Sequence, residues 1–159
     1  MMTPAAANRT AQLLAIAVPA ALLTGAYISQ YVFGLPPCEM CWWQRYPHFI
    51  AIPLALAALV IPPRRLWVSL AAVAVIVSGL IGLFHAGVEY DWWEGITPCA
   101  APPASGGDVL EAVFNTPLIR CDRAPWTLMG ISLAGWNFLI STGAGIAILA
   151  LLRKGARAA

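Results

Sequence analysis

Apolar residues run almost without interruption through four stretches of this chain, about residues 10–31, 46–61, 66–86 and 128–152. A bilayer core about 30 Å thick needs roughly 20 apolar residues in a helix. The second stretch reaches that length if its helix starts near residue 38 and carries Arg45 in its first turns. The pattern therefore predicts helices over about 10–31, 38–61, 66–86 and 128–152. Pro19, Pro47 and Pro53 fall inside these runs; membrane helices tolerate proline where neighbours re-satisfy the freed carbonyls. Turn formers separate the runs, Gly34-Leu35-Pro36-Pro37 first and Pro62-Pro63-Arg64-Arg65 second. The third connection, about 87–125, spans 39 residues, far beyond the usual loop. The predicted fold class is an all-α membrane protein: one domain over 1–159, a four-transmembrane-helix bundle with a long loop between helices 3 and 4.

Composition agrees with this reading. The 159 residues are 60% hydrophobic and only 10% charged, where soluble domains carry about 25% charged residues. The first helix reads as retained, because its apolar run is too long for a signal peptide and Arg9 is its only early basic residue. Charge sets the orientation. Arg9, Arg64, Arg65, Arg153, Lys154 and Arg157 share one side with no acid. Arg45, Arg120 and Arg123 share the other with all seven acids. The basic excess places the first side, with both termini, in the cytoplasm. The net charge of +2 reflects topology and gives no reason to expect a nucleic-acid partner. Aromatic residues gather at the outer ends, among them Tyr27, Tyr31, Trp42, Trp43, Trp92, Trp93 and Trp126, as in an interfacial belt.

Inside the long loop, residues 101–107 read as a mobile Pro/Gly segment. Residues 108–114 read as a short amphipathic helix capped by Asp108, with Glu111 three residues on. Small residues at helical spacing, Ser78 with Gly82 and Ser141 with Gly145, allow close helix packing.

Four cysteines fall in two pairs on the non-cytoplasmic side, where disulfides persist. Cys38 and Cys41 form a C-x-x-C after Pro36-Pro37, a natural helix start. Cys38 then sits at the positive end of the helix dipole, which favours a thiolate. Arg45, one turn beyond Cys41, adds positive potential on the same face. So short a disulfide loop is readily strained and labile. Cys99 and Cys121 enclose 23 residues. As a structural staple they contribute about 3 kcal/mol; as an exposed pair beside a mobile segment they suit thiol exchange. The spacing does not fit a zinc ribbon, so no metal site is expected. Redox cysteines beside lipid suggest an electron acceptor that lives in lipid. Arg45, an ionisable residue at the edge of a span, is a candidate to hydrogen-bond a quinone carbonyl, against a bland role in snorkelling. His85, near the outer end of helix 3, is a candidate for proton handling or for a quinone oxygen, with Glu89 four residues on to orient it. His48 has a weaker claim. Trp42 and Trp43 either line a pocket or anchor the helix.

The run Pro37-Cys38-x-x-Cys41-x-x-x-Arg45, the order of the two cysteine pairs and the stretch from Trp126 to Trp136 resemble the DsbB family of quinone-dependent, disulfide-generating membrane proteins. The resemblance covers nearly the whole chain. It implies a bacterial inner-membrane enzyme with periplasmic cysteine pairs. It implies a ubiquinone or menaquinone cofactor and a periplasmic thioredoxin-like (DsbA-like) dithiol partner. It further implies that Cys99 forms the mixed disulfide with that partner, that Cys121 exchanges with Cys38, and that Cys41 passes electrons on beside Arg45 and His85. A vitamin K epoxide reductase-like protein is the neighbouring alternative, but there the loop pair precedes the C-x-x-C. A non-enzymatic membrane protein with structural disulfides is the second alternative.

Overall fold

The computed structural model describes residues 2–97 and 119–156. Cys99, the segment 101–107 and the helix expected at 108–114 lie outside the described residues. Four long helices form the fold: α1 (Pro4–Tyr31), α2 (Glu39–Ala57), α3 (Arg64–Glu89) and α4 (Leu133–Ala156). Helices α1, α3 and α4 are long and apolar enough to cross a membrane. The 19 residues of α2 extend about 28 Å at 1.5 Å per residue.

Local chemistry sets the ends. Thr3 caps α1, its Oγ1 accepting the Ala6 N–H at 3.2 Å with Pro4 at the first position, so α1 starts six residues before the apolar run predicts. Helix α2 stops at Ala57 rather than near 61; residues 58–61 continue as turns bonded back to Leu54, Leu56 and Ala57, ahead of Pro62. The last carbonyls of α2 are met partly by backbone N–H groups of residues 58–61 and partly by side chains: Gln12 Nε2 donates to the Ala55 oxygen, and Arg64 Nε to the oxygen of the C-cap Ala58 at 3.0 Å. The start of the fourth helix is a correction. It lies at Leu133, not 128, because a small antiparallel hairpin comes first, β1 (Thr127–Leu128) on β2 (Ile131–Ser132). Met129 and Gly130 sit at φ 53° and 77°, the left-handed pair that a tight two-residue hairpin turn requires. Tyr90, just past α3, ties this hairpin down: its hydroxyl donates to the Gly130 carbonyl at 2.9 Å and accepts the Ser132 N–H at 2.8 Å.

Helix α3 packs most extensively on α4 and then on α2, while α1 lies against α4 and α2. The interior is built from small residues, with Ala11, Ala15, Ala51, Ala55, Ala71 and Ala72 fully buried around Val75 and Ile148. Large apolar side chains face outward instead, such as Leu13, Val60, Val73 and Ile146. Exposed apolar surface on this scale marks a surface made for lipid or another apolar partner. Small interior residues let the backbones close up. A Cβ at Gly82 would lie 2.9 Å from the Ala134 oxygen and 3.0 Å from Asn137 Nδ2; one at Gly145 would lie 3.0 Å from the Ala72 oxygen.

Gly82→Val should therefore force α3 and α4 apart. The expected cost is about 1–3 kcal/mol, the range for overpacking a close-packed interior, read as a lower midpoint of thermal unfolding in detergent. An unchanged midpoint would show that the α3–α4 contact is looser than described.

Candidate active site

The turn through Pro36-Pro37 delivers Cys38 to the N-cap of α2. Its sulfur accepts the Cys41 N–H at 3.3 Å, satisfying one of the free donors of the first turn. The two sulfurs lie 3.0 Å apart. Cys38 packs with Met40, Val88 and Cys121, under Trp43, Phe84 and Ile119. Cys38, Cys41 and Cys121 are all free thiols. The fold thus brings a cysteine of the long loop onto the first cysteine of the C-x-x-C, as an exchange reaction requires and as a remote staple would not need.

Trp93 closes this end of the bundle. Its indole N–H donates to the Phe84 carbonyl at 2.9 Å and its ring stacks on Phe84 at 5.8 Å. Gly87 has to be glycine because the Trp93 ring occupies the place of a Cβ. Trp43 covers the cysteine cluster, and Trp42 stacks on Tyr46 at 6.3 Å.

His85 of α3 reaches the same cluster. Its Nε2 stands 3.6 Å from Cys38 Sγ and 3.7 Å from Glu89 Oε1, and its Nδ1 stands 2.8 Å from Gln44 Nε2. Cys38, Cys41 and His85 offer three soft ligand atoms within 4.8 Å of one another. Two thiolates on one tetrahedral zinc, at about 2.3 Å each, stand roughly 3.8 Å apart. The 3.0 Å sulfur separation is shorter than that and suits thiol–disulfide chemistry better than an ion.

On the other side of Cys41 a cavity of about 250 Å³ opens between α1, α2 and α4. Cys41, Gln44, Arg45 and His48 line it from α2, and Trp136 and Asn137 from α4; α1 contributes apolar residues such as Leu22 and Ala26. Arg45 is only 7% exposed. Its guanidinium lies between the Trp42 and Tyr27 rings, 4.8 and 5.1 Å from their centroids. It donates to Gln30 Oε1 at 2.7 Å and to the Ala26 carbonyl at 3.3 Å. Among the described residues no carboxylate pairs with it, so its charge is held in place by neutral groups and remains directed at the cavity edge. His85 is not among the lining residues; Gln44 stands between it and the cavity.

Four further polar residues were given no part in the site by the sequence reading, which named Ser78 and Ser141 only for close packing. Gln44, Ser78, Asn137 and Ser141 join His48 in a buried cluster where α2, α3 and α4 meet. The available signal was their placement inside apolar spans, where a polar side chain needs a partner. All four are neutral and so look unremarkable one at a time.

Beside Cys121, Arg120 donates to both carboxylate oxygens of Asp122, one at 2.8 Å. This hydrogen-bonded guanidinium pulls the Asp122 carboxyl from 3.8 down to about 2. A depressed carboxylate contributes stability that is present above pH 3.8 and lost as pH falls through about 2. The pair is solvent-exposed, so that contribution is small. In Arg120→Ala the Asp122 titration, followed by NMR, is expected to return toward 3.8 with no measurable change in melting temperature at neutral pH. A midpoint that stays near 2 would assign the shift to another group.

Residues 8–151 match the family model described as DsbB, Disulfide bond formation protein DsbB. The chain is 32% identical over 166 residues to Disulfide bond formation protein B of Verminephrobacter eiseniae (strain EF01-2), covering 96% of this chain and 89% of the relative. It is 30% identical over 165 residues to the protein of the same name from Acidovorax sp. (strain JS42), covering 97% and 92%. An uncharacterized protein of Rickettsia prowazekii (strain Madrid E), RP370, is 24% identical over 81% of this chain and 78% of its own. No solved structure matches the chain.

Proposed function

The chain belongs to the DsbB family of disulfide-bond-forming membrane proteins, and from that premise we propose that it is a thiol:quinone oxidoreductase of the bacterial inner membrane. In this reading it reoxidises a periplasmic thioredoxin-like (DsbA-like) dithiol protein and passes the electrons to ubiquinone or menaquinone. The observation that carries the reading is the placement of Cys41: Cys38 and Cys121 lie behind it, and the Arg45 cavity lies in front. Helix α2 is the fourth span, with both termini cytoplasmic and both cysteine pairs periplasmic. The basic residues Arg9, Arg64, Arg65, Arg153 and Lys154 at the opposite end of the bundle support that orientation.

The electron path runs through four sulfurs. A thiolate of the partner attacks Cys99 of a Cys99–Cys121 disulfide, giving a mixed disulfide and releasing the Cys121 thiolate. The second partner thiolate resolves it and leaves Cys99 reduced. Cys121 attacks Cys38 of the Cys38–Cys41 disulfide, which frees Cys41 as a thiolate at the cavity. Cys99 then attacks Cys121 of the Cys38–Cys121 disulfide, which re-forms the Cys99–Cys121 disulfide and releases Cys38. The Cys38–Cys41 dithiol then holds the two electrons and two protons that a bound quinone would accept as the Cys38–Cys41 disulfide is restored. The quinone supplies the two-electron, two-proton acceptor chemistry when bound. The cavity's residues suit such a group: apolar walls, a planar cation at the edge, and a buried His48 Nδ1 with no partner among the described residues. Arg45 provides donors and positive potential there, and Cys41 the electrons. His85, at the Cys38 sulfur, acts on the exchange step from behind.

The direct test is quinone reduction by the purified protein with a reduced thioredoxin-like donor. Wild type is expected to turn over and Cys41→Ser to lose turnover by a factor of 10³ or more while remaining folded. Full activity in Cys41→Ser would refute the path. Arg45→Ala is expected to raise KM for the quinone about tenfold or more, the loss of roughly 1.4 kcal/mol of binding; an unchanged KM would return Arg45 to a purely interfacial role.

A further inference from the structure

The buried polar cluster has a direction, and backbone carbonyls fix it. Asn137 Nδ2 stands 3.1 Å from the Ser78 carbonyl oxygen, an obligatory acceptor, so this end of the amide is the NH2. Asn137 Oδ1 therefore faces His48 Nε2 at 3.1 Å. The two hydroxyls near that nitrogen have spent their protons elsewhere: Ser78 donates to the Gln44 carbonyl at 2.7 Å and Ser141 to Asn137 Oδ1 at 2.8 Å. Nε2 faces acceptors only, so neutral His48 carries its proton there. Its Nδ1 is then a bare lone pair, and that atom is buried without a partner among the described residues, on a residue that lines the cavity.

The same logic continues toward Cys38. Gln44 Nε2 donates to the Met40 carbonyl at 3.2 Å, which fixes its amide and makes His85 Nδ1 the acceptor at 2.8 Å. Gln44 Oε1 accepts from Asn137 Nδ2 at 2.9 Å. His85 consequently bears its proton on Nε2, toward Cys38 Sγ and Glu89 Oε1. Four contacts thus run head to tail: His48 N–H to Asn137, Asn137 N–H to Gln44, Gln44 N–H to His85, His85 N–H to Cys38. Aligned hydrogen bonds in a low-dielectric interior polarise one another. The chain presents its positive end to the Cys38 sulfur, and its negative end, the buried Nδ1 lone pair, lies on a residue of the cavity wall.

We propose that His48 is the proton-holding residue of the cavity and is coupled through Asn137, Gln44 and His85 to Cys38, so that a proton at His48 Nδ1 and a thiolate at Cys38 stabilise each other. The purpose given to this coupling rests on the thiol:quinone reading. Oxidising the Cys38–Cys41 dithiol releases two electrons and two protons, the quantities needed to reduce one quinone to quinol. A proton lent from His48 Nδ1 is replaced from the pair the thiols release, so His48 ends as it began. The amides carry no proton; they carry polarisation. The charged and titratable groups sharing the cavity with His48 are Arg45 and Cys41 of its own helix. Facing it, α3 gives Ser78, α4 gives Asn137 and Ser141, and α1 gives no titratable group to the lining. Around Cys38 stand Cys41, Cys121 and His85, with Glu89 beyond.

The chain has two histidines, so ¹⁵N-histidine NMR of the full-length protein in detergent reads both rings directly. The expected result is an Nε2–H tautomer for each, and a His48 midpoint that falls by half a pH unit or more in Cys38→Ala. The reciprocal measurement uses Cys38 as the sole cysteine, the other three replaced by serine. Its alkylation rate near neutral pH is expected to drop at least threefold in Asn137→Leu and in His48→Gln, with the pH profile moved upward. An Nδ1–H tautomer at His48, or a Cys38 profile that neither variant moves, would overturn the coupling. If Asn137→Leu does not fold, His48→Gln decides. Wild-type quinone reduction is scored separately, so its absence would count against the thiol:quinone reading while leaving the tautomers and the Cys38 profile to judge the coupling.

Discussion

The site depends on one hydrogen bond that an apolar bundle makes obligatory: the Asn137 amide donating to the Ser78 carbonyl across the α3–α4 contact. A side-chain amide buried without a partner costs several kcal/mol in an apolar medium. Asn137 therefore has to meet an acceptor on the facing helix, and the carbonyl it meets sets which way its own oxygen points. From that orientation follow the states of His48, Gln44 and His85, and with them the face that α3 and α4 present to the cysteines.

Close packing makes this bond reachable. Asn137 sits over Gly82, where any Cβ would collide with it and with the Ala134 carbonyl. Alanines elsewhere in the interior allow close approach between α1, α2 and α3. In a soluble protein such an interior would be thin on buried apolar area. Here large apolar side chains are turned outward, and the helices gain from close van der Waals contact and from interhelical hydrogen bonds. One packing choice thus serves two ends. It suits a bundle surrounded by lipid, and it brings polar groups from three helices within bonding distance.

The chemistry divides along α2. Its N-terminal residue, Cys38, belongs to the buried cluster with Cys121 and His85, while Cys41, Gln44, Arg45 and His48 line the cavity. Residues three and four apart share a helix face, so Cys41, Gln44, Arg45 and His48 follow one another down a single stripe. Arg45 is held between two aromatic rings and two neutral acceptors, an arrangement that leaves its charge unspent. Cys41 is the residue that both halves share.

The sequence by itself determined the helical class and the approximate places of the four helices, and it singled out Cys38, Cys41, Cys99, Cys121 and Arg45 as candidates. These are read from local properties: hydropathy over about 20 residues, charge asymmetry between loops, and a short cysteine spacing. It misplaced the start of the fourth helix, because Leu128, Met129 and Ile131 look like a continuing apolar run while Gly130 alone marks the turn. It named His85 and Arg45 together as candidates without their places; in the structure His85 lies at the Cys38 sulfur and Arg45 at the cavity. It gave no sign of the roles of Gln44, Ser78, Asn137 and Ser141. Those depend on tertiary structure, because a neutral polar residue has no fixed electrostatic signature. Its function is set by which donor or acceptor a distant helix places within about 3 Å of it, and here those partners lie between 30 and 93 positions away along the chain.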